Sequence, residues 1–471
     1  MQIYEVGTGR TYPTIASALA VVSALGQPLT EAQQLEVAPL ELEAVTIPPN
    51  IEPTASFPLN IVNLDFSRPI LESVDITDTP HLRLTGFEVL GDVEAGQDGQ
   101  MVSENIIRGA LKAIGDASTI TFRAYNNSVH GFTDRGILIQ NMRGNIRVLF
   151  NSILARNASG TPRYAIEVVE SDIEAKYNIM AAQGDSALNR IISLVNMTGR
   201  TVAMDGNLYW QTGEAIFGVR DVGAGPVTIA TFEDWQSVAG VDAASLFDDP
   251  FFGCSGDDDP DIAINLTVAQ QSPAIAAAPW DADVQIDIDK TRRPRLVGDP
   301  GHSTTIGAFE QAQVITEAGK ARILDLLGGA STDYLTKVAV GDEGTISDEE
   351  YLQPETPSKI STDVQSRIVV IPIQAPPPFV KAFTFGTTAF FDCFVTPTPD
   401  ASEALLDAKM NTVSEVGLLT NDGILFLLRT IQRTPFDPLG RTTVRIRFGI
   451  AVGSDICDAL APSLSLTAEP E

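Results

Sequence analysis

Cysteine is scarce in this sequence. Cys254, Cys393 and Cys457 are the whole complement among 471 residues, they lie far apart, and no CxxC pair occurs. With only three histidines beside them, no disulfide framework or zinc module can be read, and no metal or cofactor is expected. Positive charge is also short. Against 61 Asp+Glu stand 31 Lys+Arg, so the formal net charge is −30 and the pI about 4.3. Attraction to DNA or anionic lipid is therefore disfavoured except at a local basic patch, and nucleic acid is not an expected partner. No uninterrupted apolar run approaches about 18 residues, and Met1 to Gly7 lacks a basic stretch followed by an apolar one. Neither membrane insertion nor secretion by a visible signal is expected. What is present is ordinary for a globular chain: 44% hydrophobic and 20% charged residues, with length enough for two to four domains.

From about residue 56 to 220 a weak repeat runs through the chain. Short β-branched or aromatic segments close on an asparagine: Tyr125-Asn126-Asn127, Phe150-Asn151, Tyr177-Asn178 and Gly206-Asn207. The last asparagines of these units lie 24, 27 and 29 residues apart. A second series follows in phase, Ile137-Leu138-Ile139, Ile166-Glu167-Val168, Ile192-Ser193-Leu194 and Phe217-Gly218-Val219. Two phased strand series predict one solenoid coil per repeat. A leucine-rich repeat would need a recurrent LxxLxL frame, which is missing, whereas alternation such as Leu82-Arg83-Leu84 suits half-buried strands. A parallel β-helix is favoured. In it, Asn127, Asn151, Asn178 and Asn207 would bond one another from coil to coil and serve structure. An open coil end needs a cover, and Thr14 to Leu25 supplies one: apolar residues at helical spacing after a threonine cap.

These residues carry a resemblance. Gly7-Thr8-Gly9-Arg10-Thr11-Tyr12-Pro13-Thr14-Ile15 resembles the opening of pectate-lyase-like right-handed β-helix proteins. The far boundary is similar to the same superfamily, through Trp235, Ser245 to Phe252, Ser272-Pro273-Ala274-Ile275, Arg292-Arg293-Pro294-Arg295 and Gly307-Ala308-Phe309-Glu310. The resemblance covers residues 1–310 and implies a cap over about 1–30, coils over about 56–220 and a closing region over 221–310. It implies a scaffold and no single activity, because lyases, hydrolases, tailspikes and adhesins share it.

After 310 the pattern changes. An amphipathic helix is predicted over 314–328, then strands at 367–373, 379–391, 413–420, 424–431 and 442–450, which read as an antiparallel β-sandwich. Asn421-Asp422-Gly423 is a tight-hairpin signal, and 452–471 reads as a tail. Leu324 to Leu327, Lys337 to Gly344, Ser414 to Leu419, Gly423 to Phe426 with Arg429, and Val444 to Phe448 together resemble a virion module of tailed bacteriophages. Relatives of that module occur in tail-fibre, baseplate and neck proteins, and the insertion at 396–411 departs from its pattern. The resemblance covers 311–451.

Catalysis on coils would need paired carboxylates, or calcium with a basic residue, on one exposed face. Asp134, Glu167, Glu170, Asp172 and Glu174 are the dense candidates; of these Glu167, Glu170 and Asp172 are the ones an enzyme would use. Glu167 should point outward beside Ser193, with no lysine or arginine matched to it one coil away. Asp257 to Asp261, Asp281, Asp283, Asp287 and Asp289 have calcium-like composition but not the loop pattern of a calcium hand. His130 reads as a structural residue. Arg292, Arg293 and Arg295 read as a contact to an acidic neighbour, and Gly7 and Gly9 do not complete a dinucleotide loop.

The expectation is thus an all-β chain, a right-handed parallel β-helix with a capping helix followed by an antiparallel sandwich. Its expected role is structural and adhesive in a tailed-phage virion (tail fibre, tailspike, baseplate, or neck or head fibre), assembled in the host cytoplasm, without catalysis. The alternative is a tailspike depolymerase acting as lyase or glycosidase. Expected partners are other virion proteins, further copies in a trimer, and a host surface glycan.

Overall fold

The computed structural model describes residues 1–254 apart from 64–67, 157–159, 185, 222–224 and 240. Beyond these it describes 265–268, parts of 272–288, residue 293, 304–309 and nine strands between 313 and 467. The chain divides into two compact units. One holds residues 1–250 with 287–289 and 306–309, and the other holds the rest.

The first unit is a parallel β-solenoid of about seven turns. Each complete coil contributes a strand to three stacks, as Arg143–Leu149, Ser152–Arg156 and Arg163–Val169 do. The first stack runs from Gln2–Val6 to Val202–Asp205, the second from Glu88–Val89 to Leu246–Phe247, and the third from Glu43–Thr46 to Ile216–Arg220. Alternation decides the faces: Leu84, Val102, Ala124, Val148 and Ala175 pair in register on the first stack and are fully buried. The residue before each of them, Arg83, Met101, Arg123, Arg147 and Glu174, is exposed or half-buried. In the third stack one repeat slips. Ile192 pairs with Gly218 and Ser193 with Val219, one residue later than the expected alignment of Phe217-Gly218-Val219 with Ile192-Ser193-Leu194.

The turn between first and second stacks explains the asparagines. A single residue in the left-handed region bends the chain there: Glu104, Asn126, Phe150, Tyr177 and Gly206, with φ of 60, 54, 56, 58 and 65°. The following asparagine is buried in every case, at 105, 127, 151, 178 and 207. Its Nδ2 donates to the Oδ1 of the asparagine one coil on, at 3.2, 3.0, 3.0 and 3.1 Å along the series. Its backbone N–H donates to the same oxygen at 3.2, 2.9, 2.9 and 3.0 Å. The oxygens of Asn127, Asn151, Asn178 and Asn207 therefore each accept two bonds, and every amide bridges coils. Below the ladder the Phe87 N–H donates to Asn105 Oδ1 at 3.0 Å. Above it, Asn207 Nδ2 donates to Asp242, a carboxylate only 1% exposed that also accepts from Tyr209 Oη, Ser245 Oγ and Trp235 Nε1 at 2.9, 2.7 and 2.7 Å. Burial, and after it the Asp242 charge, pushes the Tyr209 phenol far up.

Both ends of the solenoid are covered. At the start, helix Ile15–Ser23 is capped reciprocally by Thr14 and Ser17, with Glu43 Oε1 accepting from the Ile15 N–H at 2.8 Å, and it buries Ile15, Ala18, Leu19 and Val22. At the other end an antiparallel strand, Val227–Ile229, pairs with Ile216–Arg220 and helix Phe232–Ala239 follows. Trp235 from that helix is fully buried, against Phe217 at 5.5 Å. Residues 306–309 return to the asparagine corner, where Gly307 N–H donates to Tyr177 O at 2.8 Å and Ala308 N–H to Ser152 Oγ at 3.0 Å. Gly307 sits at φ 94°, and a Cβ there would lie 2.7 Å from Ile179 Cδ1 and Ser152 Oγ.

In the second unit the described strands after 312 form two antiparallel sheets. Gln313–Ile315, Leu425–Pro435, Thr412–Thr420, Leu335–Gly341 and Val369–Pro372 make one; Val380–Phe385, Thr388–Val395, Thr443–Ala451 and Ser465–Thr467 make the other. Residues 313–315 are a strand where a helix from 314 was expected, because Val314 and Ile315 find ladder partners in Leu428 and Leu427. The rest of that helix, the turn at 421–423 and the insertion at 396–411 lie outside the described residues.

Asn151→Ala would strand the Asn127 backbone N–H, leave the Asn127 amide only its bond to Val102 O, and remove three donor bonds from Asn151 itself. A loss of about 3 kcal/mol in stability to denaturant is expected, at roughly 1–3 kcal/mol per buried unsatisfied group. A loss below about 1 kcal/mol would show that the ladder is not what holds the coils.

Candidate functional site

The densest set of ionisable side chains on the coils stands on the outer face of the third stack. Three strands present it: Arg135–Gln140, Arg163–Val169 and Asn189–Val195. Ile166 and Val168 point into the core, so Glu167 between them points out. It is nevertheless 6% exposed. Ser193 Oγ, in register on the next coil, donates to Glu167 Oε1 at 3.0 Å, and the Arg135 guanidinium on the preceding coil binds Oε2. Arg135 also holds Asp134 Oδ2, at 2.5 Å. The residues matched to Glu167 on the adjacent coils are Leu138 and Ser193, so no lysine or arginine is matched to it, yet a cation reaches it from another position. Arg135 pairs in register with Tyr164 and reaches Glu167 across the strand, a position that matching residues by repeat number cannot find.

The other expected carboxylates go elsewhere. Glu170 occupies a left-handed turn position, φ 51°, and its Oε1 accepts from Asn196 Nδ2 at 3.2 Å. Asp172 bridges its neighbours, Oδ1 accepting from Thr201 N–H at 2.8 Å and Oδ2 from Gly144 N–H at 2.9 Å. Glu174 lies on the first stack between Arg147 Nε and Lys176 Nζ, each at 2.9 Å. Burial pushes its pKa up, but the bonds and charges of Lys176 and Arg147 outweigh this and hold it below the usual carboxylate range. Glu167, Glu170 and Asp172 are therefore not one constellation. The first belongs to a strand face, and the other two tie the turn that follows it.

His130, directly after the short second-stack strand Ser128–Val129, is 4% exposed. Burial, aided by the positive charges of Arg108 and Arg156, lowers its pKa to about 4. It is neutral at pH 7, with a proton uptake delayed far below that of free imidazole. Asp283 N–H donates to Asp281 Oδ1 at 2.8 Å, the bond of a tight turn, and Asp287 is fully buried. Asp257 to Asp261 and Asp289 lie outside the described residues. Among the described residues no group of three or more His, Cys, Asp or Glu side chains is placed to hold a metal ion. Arg293, expected to face an acidic neighbour, is fully buried and donates to Thr305 O at 2.8 Å, so it braces its own unit. Arg292 and Arg295 lie outside the described residues.

What the third-stack cluster can do is limited by its own bonds. Glu167 has a cation on one oxygen and a hydroxyl on the other, and is 6% exposed. Arg190, stacked 5.5 Å over Tyr164 and donating to its hydroxyl at 2.9 Å, extends the same pattern of coil-to-coil ties. No protein-family model matches the chain, and no curated protein matches it.

The buried imidazole generates a pH dependence. An unfolded His130 takes its proton near pH 6.5, whereas the folded one does so only near 4. Between these values the unfolded state binds more protons, so stability present above pH 6.5 falls as pH drops towards 4, by up to about 3 kcal/mol. His130→Gln should flatten that part of the curve of melting temperature against pH; an unchanged slope would assign it to other groups.

Proposed function

We propose that the chain is a structural and adhesive protein of a tailed-bacteriophage virion, its β-helix projecting and residues 311–451, as an antiparallel β-sandwich of the virion-module kind, assembling it. One observation carries the non-catalytic part of this reading: each carboxylate from Glu167 to Glu174 is engaged in holding adjacent coils or turns. A lyase needs a base free to take a proton, and a glycosidase needs one carboxyl with a raised pKa opposite another that stays ionised. The module resemblance in 311–451 supports the virion setting, tail fibre, tailspike, baseplate or neck fibre, and a trimer is the assembly proposed. The virion so assembled in the host cytoplasm would meet other virion proteins through the C-terminal part and a host surface glycan through the coils.

The competing depolymerase has one observation on its side, since Asp134 and Glu167 converge on Arg135. The low exposure of Glu167 weighs against it. Glu167→Gln with Glu170→Gln should cost about 1–2 kcal/mol of stability through the weakened Arg135 pair, yet leave infectivity unchanged. The protein should co-purify with particles at fixed stoichiometry and release no sugar ends from capsule or lipopolysaccharide. Loss of a glycan-degrading halo in the folded double variant would turn the reading to the enzyme.

A further inference from the structure

Seven residues beyond Pro250 belong to the solenoid unit, 287–289 and 306–309, and they return to its flank well short of its last coil. Gly307 N–H donates to Tyr177 O and Ala308 N–H to Ser152 Oγ, at 2.8 and 3.0 Å. Ile288 N–H donates to Ala308 O at 3.0 Å, which joins the two pieces, and the Arg68 guanidinium spans from Glu104 O to Ile288 O. Ile288, Ile306 and Ala308 are buried. Their seat shows on the coils beneath. Ser152 and Ile179 stand just before the core residues Ile153 and Met180, so alternation turns them outward, yet both are fully buried. Farther back in the same row Ile106 is half-buried and Ile70 is exposed. Gly307 specifies the fit, since any Cβ there would press on Ile179 and Ser152.

The last coil ends on a short pairing. Its second-stack strand, Leu246–Phe247, is in register with Leu208 and Tyr209 alone, and both of its side chains are exposed. In that stack Ser152–Arg156 is followed by Ile179–Gln183, Leu208–Gln211 and Leu246–Phe247, so the anchor at Ser152 lies about 14 Å before the end, at about 4.8 Å per strand. Tension entering the solenoid at Pro250 would open the Leu246–Phe247 pairing first, then draw on the Asp242 cluster and the coils behind it, one after another. Tension entering at residue 310 meets the bonds at Tyr177, Ser152 and Ile288 instead, and is shared among them. We propose that residues 287–289 and 306–309 form a clasp, a strap that takes tension on the C-terminal part of the chain at the asparagine corner and shields the terminal coil from it. Opening the clasp breaks none of the asparagine-to-asparagine bonds, so it is an event separate from unwinding. The clasp needs no virion setting, because any load on the C-terminal part would meet it first.

The test stretches single molecules of the full chain between handles at Arg143→Cys, an exposed first-stack residue, and at the C-terminus, in a background of Cys254→Ser, Cys393→Ser and Cys457→Ser. The clasp should let go in a distinct step before any coil unwinds, freeing the chain from 250 to 310 to lengthen by up to about 200 Å, at about 3.4 Å per residue. Gly307→Val should abolish that step, and Ser152→Ala, which removes the acceptor of the Ala308 N–H, should lower its force. Thr121→Ala, on the outer face of the first stack, should leave it unchanged. Without load, hydrogen exchange at the Ala308 amide should quicken in both clasp variants while the amides of Asn127, Asn151 and Asn178 keep the parent's rate, which shows that the coils have folded. Should Gly307→Val fail to fold, Ser152→Ala carries the test alone. Parent coils that unwind with no preceding step, a step that keeps its force in the folded clasp variants, or ladder amides that quicken together with Ala308 in Ser152→Ala would each overturn the clasp.

Discussion

The asparagine ladder is the constraint on which the rest of the solenoid depends. Turning the chain at every coil with one left-handed residue costs a non-glycine residue roughly 1–2 kcal/mol, and Glu104, Asn126, Phe150 and Tyr177 all bear that cost. It is offset because the next residue is an asparagine whose oxygen takes two bonds and whose amide spans to neighbouring coils. The same geometry fixes which coil residue faces which at the corner, where the first and second stacks meet. Where the ladder ends, Asp242 takes its last amide. A buried carboxylate is tolerable there only because donors converge on it: the Asn207 amide, the Tyr209 and Ser245 hydroxyls and the Trp235 indole.

Register fixed at the corner makes every outward position a column of constant pitch. On such a surface a charged side chain is surrounded by the residues one coil above and below rather than by its sequence neighbours, and this is why the ion pairs cross coils: Arg147 to Glu174, Arg135 to Glu167, Arg108 to Glu88. Each exposed pair adds little, but it keeps like charges from stacking along a column in an acidic chain. The columns therefore acquire character separately. On the third stack Asp134 and Glu167 share Arg135, while on the first Arg147 and Lys176 share Glu174.

Much of this was legible in the sequence because it is periodic. The Asn127, Asn151, Asn178 and Asn207 spacing gives the coil length, and Thr14 with the apolar spacing after it gives the cap that the structure places at Ile15–Ser23. What failed was local. Gly218 rather than Phe217 meets Ile192, and the slip sets Gly218 and Arg220 opposite the core residues Ile192 and Leu194, an alignment that a search for inward apolar residues does not suggest. The Arg135 contact was missed because that residue lies outside the repeated triplet, so its reach to Glu167 depends on the side chain and not on the period. Residues 306–309 were expected in the closing region, but their contacts, and the structural part played by Arg293, were missed for a related reason: the partners, Ser152, Tyr177 and Thr305, follow from a non-periodic return of the chain. The motif Gly307-Ala308-Phe309 marked the place without disclosing the contact.

The same periodicity bears on what kind of chemistry the coils favour. Catalysis asks neighbouring groups to differ, one carboxyl protonated and another not, which requires an irregularity in burial or charge held against a repeating lattice of bonds. Binding asks only that like groups recur. On the third stack the irregular groups, Asp134, Arg135, Glu167 and Ser193, have been drawn into one another, so their differences are cancelled inside the wall. On the first stack Glu174 lies between Arg147 and Lys176 in the same way.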